Sequence, residues 1–158
     1  MIKAIFAVDA NNGMGKDGSL PWPKNSEDLK LFKKYTYGNT VVMGGKTWRD
    51  PFMPKPLPGR TNIVVTSESI DIPEVITVSD NWKEFVVDYS KDKEVYIIGG
   101  ASLLEQSVDI IDEVILTKFT KSYGCDVKID LNEFLKDFHN PTNFTVDYGV
   151  ISFWKKNI

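Results

Sequence analysis

Short apolar runs rich in β-branched residues punctuate the chain at Ile2 to Val8, Thr40 to Met43, Asn62 to Val65, Val75 to Val78, Val95 to Ile98 and Val114 to Phe119. Each has the length of a strand. Most are continuously apolar instead of alternating, as in strands covered on both faces, so they predict a mainly parallel sheet flanked by helices. Between them, Ser26 to about Tyr35, Asn81 to about Tyr89 and Ala101 to Ser107 read as crossover helices. The first is opened by Asn25 or Ser26 as cap and carries Glu27 and Asp28 in its first turn, where the helix dipole favours anions. The chain closes on Phe144 to Tyr148 and Val150 to Lys155 with Gly149 between them, the pattern of an antiparallel hairpin at the edge of the sheet. The expected class is α/β.

Length and charge narrow the setting. A chain of 158 residues fits one domain. A net charge of -3, with no sustained run of Lys or Arg, argues against a nucleic acid partner. The single cysteine, Cys125, forms no internal bridge, and no Cys/His cluster suggests a metal. The N-terminal apolar run stops at Asp9 without a signal-peptide pattern, and no segment approaches the roughly 18 apolar residues of a membrane span. These features predict a cytoplasmic protein in a reducing compartment. There is no repeat or low-complexity tract. The polar stretch Asn11 to Ser19, with Gly13, Gly15 and Gly18, reads as a lid or binding loop.

In open α/β sheets ligands sit at the carboxyl ends of the strands, where small residues let the backbone approach a phosphate. Three strands here end that way: Thr40 to Met43 runs into Gly44-Gly45-Lys46-Thr47, Ile63 to Val65 into Thr66-Ser67, and Val95 to Ile98 into Gly99-Gly100-Ala101-Ser102. A P-loop needs its first glycine where Thr40 stands, and Gly99-Gly100 lacks the third glycine of the Rossmann fingerprint. Any dinucleotide is therefore held by another arrangement. Taken singly, the glycines serve equally well as turn residues and Lys46 as a solvated charge. Their recurrence at three equivalent strand ends is what favours a ligand.

Asp28 shares a helical stripe with Phe32 and Tyr35 and borders Leu29, behind the rigid apolar approach Leu20-Pro21-Trp22-Pro23. A carboxyl group so placed is desolvated, which favours its neutral form and suits proton delivery. Periodicity alone favours a plainer role, a first-turn acid serving the helix end. Arg60 follows Pro56-Leu57-Pro58-Gly59, a braced turn from which a guanidinium can grip a carboxylate through two parallel hydrogen bonds; alone it is a surface charge. His139, beside Asn140-Pro141, reads as a solvated loop residue. With no second histidine and no nucleophile motif, acyl transfer has little support.

Together these residues resemble the dihydrofolate reductase family over nearly the whole chain. The resemblance is carried by Leu20-Pro21-Trp22, by Asp28-Leu29-Lys30-Leu31-Phe32-Lys33, and by Val42-Met43-Gly44 with Lys46-Thr47-Trp48. It continues in Pro56-Leu57-Pro58-Gly59-Arg60 with Asn62-Ile63 and in Ile97-Ile98-Gly99-Gly100-Ala101. The order and spacing of the motifs make it specific.

The resemblance implies an NADPH-dependent enzyme acting on dihydrofolate, a small-molecule substrate, as a monomer. Its catalytic set would be Asp28, Leu20, Trp22 and Thr117, with Asp28 supporting protonation of the pterin N5 through water while hydride reaches C6. Ile5, Ala7, Leu29, Phe32 and Leu57 would meet the pterin and aminobenzoyl portions, and Arg60, with Lys33 nearby, the glutamate carboxylate. Ala7, Met14, Gly15, Gly18, Ser19 and Leu20 would approach the nicotinamide. Gly44, Gly45, Lys46, Thr47, Thr66 and Ser67 would line the rest of the cofactor, together with Ile98, Gly99, Gly100, Ala101, Ser102 and Leu103. Gly99-Gly100 would be a cis peptide, and Asp126 would steady the mobile loop from Asn11 to Lys24.

Two departures stand out. Gly45 replaces a basic residue common near the adenosine phosphate, and Ser102 a common arginine, leaving Lys46, Thr66 and Ser67 to favour NADPH over NADH only modestly. Either Phe52 or Met53 would line the folate pocket. The rival readings are a riboflavin-pathway-type pyrimidine reductase, which should lack the pairing of Asp28 with Arg60, and a non-catalytic folate or dinucleotide-binding module.

Overall fold

A computed structural model describes residues 1–16, 21 and 25–156. In chain order the strands are β1 (Ile2–Val8), β2 (Gly13–Gly15), β3 (Thr40–Gly44), β4 (Thr61–Val65), β5 (Val75–Val78), β6 (Val95–Gly99), β7 (Glu113–Phe119), β8 (Val127–Lys128), β9 (Phe138–Val146) and β10 (Gly149–Lys156). The helices are α1 (Ser26–Thr36), α2 (Gly45–Trp48), α3 (Trp82–Tyr89), α4 (Ala101–Ser107) and α5 (Leu131–Phe134). Each of the apolar runs forms a strand whose ends lie within a residue of the run. α1, α3 and α4 likewise form where the helical patterns lie.

Eight strands make one sheet in the order β5-β4-β3-β6-β1-β7-β10-β9. β5 to β7 are mutually parallel, and β10 runs antiparallel to both β7 and β9. The parallel strands thus present their carboxyl ends along one edge.

Both faces are covered, which is why the runs do not alternate. Ala4, Phe6, Val8, Ile97, Val114 and Leu116 point to one side, packing with Val86 of α3, Leu103 and Leu104 of α4 and Phe134 of α5. Ile5, Val41, Met43, Val64, Ile115 and Ile151 point to the other, beneath Leu31, Phe32 and Tyr35 of α1. Each fully buried aliphatic side chain contributes about 1.5–3 kcal/mol.

The closing hairpin differs from its sequence reading. β9 begins at Phe138, not Phe144, and takes in His139, Asn140 and Pro141, which the sequence suggests are loop. β9 pairs only with β10, so the missing N–H of Pro141 costs no inner ladder bond. Asn140, at φ 52°, and a register irregularity opposite Phe153 to Lys155 absorb the break. Gly149 opens β10, in register with Phe119, and the position needs glycine because a Cβ there would run into the Lys118 carbonyl. α2, α5 and the β2–β8 pair went unforeseen, being too short to leave a periodic pattern.

Candidate active site

α1 lies over β1 and β7 near the carboxyl edge. Its N-cap is Asn25, whose side chain accepts from the Asp28 N–H at 3.0 Å. The cap is therefore filled without the Asp28 carboxyl group. That group is half-buried, and burial raises its pKa above the ordinary carboxylate value, opposed by a hydrogen bond from the Thr117 side chain. Thr117 is 3% exposed and stands in register with Ala7 on one side and Ile151 on the other. Ile5, Ala7, Ile115 and Thr117 share one face by strand alternation, so the acid, the hydroxyl and both predicted β1 contacts meet.

The far end of α1 holds the cation. Arg60 donates from Nε to the Pro58 carbonyl at 2.9 Å and from Nη1 to Thr36 Oγ1 at 3.1 Å. Its guanidinium lies 5.8 Å from the Phe32 ring centroid and 6.0 Å from that of Tyr37. The turn that carries it is built on Asn62, 1% exposed, whose side chain accepts from Leu57 N and donates to the Leu57 and Arg60 carbonyls. Gly59, at φ 73°, leaves room for the Tyr37 ring, which a Cβ would strike. The Lys55–Pro56 peptide in this turn is cis. From Asp28 to Thr36 is about 12 Å of helix axis. An acid and a guanidinium thus bracket an apolar stretch that includes Phe32.

The glycines gather at the strand ends as expected. The Gly99–Gly100 peptide is cis. A Cβ on Gly99 would lie 3.9 Å from Met14 Cε and 3.9 Å from Thr47 Oγ1, and one on Gly44 would lie 3.9 Å from the Gly99 carbonyl oxygen. Gly44, Thr47, Gly99, Gly100 and Met14 therefore surround one mouth. Beside it, a Cβ on Gly45 would stand 3.0 Å from Arg49 Nη1 and 3.4 Å from Thr66 Oγ1. A guanidinium, a hydroxyl and open backbone make a donor set that suits a phosphate. An open groove of about 430 Å³ adjoins this mouth, lined by Ala101, Ser102, Glu105, Gln106, Val127 and Lys128. It is separate from the Asp28 region.

Other predicted residues are placed less directly. Leu57 is half-buried and packs with the α1 face, whereas Leu29, Lys33, Lys46, Ser67 and Ser102 are exposed. Lys33 rests over the Tyr37 ring at 5.3 Å, and Ser102 accepts from Gln106 at 2.9 Å. Ile98 is half-buried against the α1-side core and Ala101 is buried. Leu103 is buried in the core on the other face of the sheet, with its Cβ 4.0 Å from where a Cβ on Gly44 would stand. Of Phe52 and Met53, Met53 packs with the α1-side core while Phe52 is 85% exposed. Gly15 lies in β2, where its carbonyl accepts from Asp126 N at 3.0 Å. Gly18, Ser19, Leu20 and Trp22 lie outside the described residues.

The family model for dihydrofolate reductase matches residues 1–144. The chain belongs to the dihydrofolate reductase family. It is 37% identical over 146 residues to dihydrofolate reductase type 8 of Escherichia coli, covering 87% of this chain and 85% of that one. It is 34% identical over 168 residues to the dihydrofolate reductase of Bacillus subtilis (strain 168), covering 99% and 96%. A solved dihydrofolate reductase from Enterococcus faecalis, complexed with NADP(H) and RAB-propyl, superposes with a TM-score of 0.84 at 27% identity, covering 100% of this chain and 97% of that one.

Sequence reasoning passed over three residues of this dihydrofolate reductase-family site. Arg49, the C-cap of α2, brings a guanidinium to Gly45, where sequence shows only a lost cation; the unforeseen helix puts it there. Tyr148 lies close enough to Asp28 and Glu27 that their charges, after burial, raise its phenol pKa. Asp9 was noted only as the end of an apolar run, yet it is 1% exposed. A lone acid at the carboxyl end of a predicted central strand was the available signal.

Proposed function

We propose that this chain reduces 7,8-dihydrofolate to 5,6,7,8-tetrahydrofolate with a hydride from NADPH, supporting one-carbon metabolism. The observation that carries the reading is the pairing across α1: a desolvated acid at its N-terminal end, a braced guanidinium at its C-terminal end, and apolar side chains between. Such a cleft suits a ligand with a protonatable heterocycle at one end and a carboxylate at the other.

NADPH, bound at the glycine-lined mouth, supplies the hydride. Reduction also consumes one proton, and Asp28 is the group that holds it near N5. Burial favours the protonated carboxyl group, and the Thr117 side chain fixes its orientation. Ile5 and Ala7 line the same face of the sheet and position the ring. Phe32, Leu57 and Met53 exclude water from the middle of the cleft, which strengthens each polar contact inside it. Arg60 receives the terminal carboxylate with its fork already oriented by Pro58 and Thr36, so little side-chain entropy is lost on binding. Thr66 and Arg49 hold the adenosine phosphate beside Gly45.

A pyrimidine reductase of the riboflavin-pathway type leaves the Arg60 fork without a carboxylate to meet. A binding module leaves the desolvated acid without a task. Following NADPH absorbance in the presence of dihydrofolate separates the three readings, and pure protein that oxidises no NADPH overturns the enzyme assignment. We also place the protein in the cytoplasm as a single-domain monomer, a setting in which Cys125 needs no disulfide partner; fractionation and analytical ultracentrifugation test this.

A further inference from the structure

We propose that Asp9 is a positioning residue that clamps the segments following β1 and β7 together, and so holds Met14 and Gly15 at the cofactor mouth. The inference rests on the NADPH reading above and assigns a role to a side chain outside the chemistry.

Asp9 follows the last residue of β1, and each carboxylate oxygen serves a different segment. Oδ1 accepts from Asn11 N and Gly13 N, both at 2.8 Å. Oδ2 accepts from Tyr123 N at 2.9 Å and from Cys125 Sγ at 3.2 Å. One oxygen thus organises the chain leading into β2 and the other the chain leading into β8. The two arms touch again through Asn11 Nδ2 to Ser122 Oγ at 2.7 Å. Ala10 N also donates to the Lys121 carbonyl, Ile129 N to that of Asn12 and Asp126 N to that of Gly15, each at 3.0 Å. β2 and β8 then pair, with Gly13 opposite Lys128 and Gly15 opposite Val127. Met14, carried between those glycines, lies against Gly99.

The chemistry requires a carboxylate. Each oxygen faces two donors, so both must be acceptors, and a backbone N–H bond to a charged oxygen is among the stronger protein hydrogen bonds. An asparagine of the same shape offers one acceptor oxygen and one NH₂ group. Whichever way it turns, one arm meets a donor where it needs an acceptor. Asp9→Asn therefore loosens one arm while leaving α1, Thr117 and the Arg60 turn as they are.

The test compares the parent with Asp9→Asn by direct ligand titration. NADPH should bind about tenfold more weakly, with dihydrofolate affinity within about twofold of the parent. Amide exchange should quicken at Gly13, Asn11 and Asp126 but not in β4 or α1. Cys125 gives an independent readout: burial first, then the bond and charge of Asp9, push its thiol pKa up to about 11, so losing that charge should raise the thiolate fraction and quicken alkylation by about threefold for each tenfold gain in thiolate, the rest being offset by weaker nucleophilicity. Should Asp9→Asn fail to fold, Ser122→Ala cuts the Asn11 contact without touching the carboxylate, and should weaken NADPH about twofold with dihydrofolate unaffected. Unchanged NADPH affinity in a folded variant, or equal loss for both ligands, overturns the proposal. A parent that binds no NADPH overturns the functional reading instead.

Discussion

Asp28→Asn should make the protein more stable and far less active at once. The native carboxyl group is half-buried, its cap duty is taken by Asn25, and its raised pKa shows that the fold disfavours the charged form. Holding an under-solvated polar group costs about 1–3 kcal/mol. Replacing it with a neutral amide forfeits about 0.3–1 kcal/mol of first-turn dipole interaction. The balance at pH 7 is a gain of about 1 kcal/mol, or a rise in Tm of about 2–4 °C for a chain of this size. The sign with pH follows from linkage. Because the folded pKa lies above the unfolded one, the native state takes up the proton more readily, and parent stability falls as pH rises through the folded value. The advantage of the variant should therefore be full at neutral pH and shrink as pH drops below that value. Turnover should fall by about 10²–10⁴, equivalent to about 3–5 kcal/mol of barrier, with the deficit widest at high pH, where protons are scarce. Calorimetry between pH 4 and pH 8 and steady-state NADPH oxidation measure the two effects. A variant that is less stable at neutral pH, or that turns over like the parent, refutes the idea of a sheltered catalytic acid.

Other substitutions address the rest of the cleft. Arg60→Lys keeps the charge but loses the fork, and should weaken dihydrofolate by about tenfold in fluorescence titration with NADPH affinity unchanged; equal loss for both ligands would indicate misfolding. Asn62→Ala removes the amide on which the Leu57–Arg60 turn is built, and should cost about 2–4 kcal/mol in urea unfolding while also weakening dihydrofolate. Arg49→Ala should weaken NADPH several-fold at low salt and leave NADH unchanged. Glu68→Gln, which frees Arg49 from its 3.1 Å ion pair, should tighten NADPH. Identical responses to NADH and NADPH would place Arg49 away from the phosphate.

Most of the sheet was legible because central strands buried on both faces must be apolar throughout, and Ile2–Val8 or Val95–Gly99 leave no other reading. The capped, amphipathic α1 was equally plain. What escaped depends on distant pairing. His139 to Pro141 have the local chemistry of a loop and enter β9 only because an edge strand tolerates proline. Arg49 could not be assigned because its place is set by a one-turn helix and by Thr66 just past the end of β4. Asp9 looked like a terminator because its donors come from residues more than a hundred positions away as well as from its own turn. Asp28 and Arg60 stand out as candidates in the sequence, but only the folded chain sets them at the two ends of α1, with Thr36 of that helix accepting from Arg60.

The kinked outer margin at Asn140 and Pro141 has a consequence for handling the protein at high concentration. A flat, unpaired strand offers a row of amides onto which a second molecule can stack, the first step toward fibrous precipitate. Here the row is interrupted by a residue with no amide hydrogen and bent by its neighbour in the left-handed region, so the exposed ladder is a poor template for growth. Straightening it with Pro141→Val and Asn140→Thr would spare the distant cleft yet lower the concentration at which the protein stays clear.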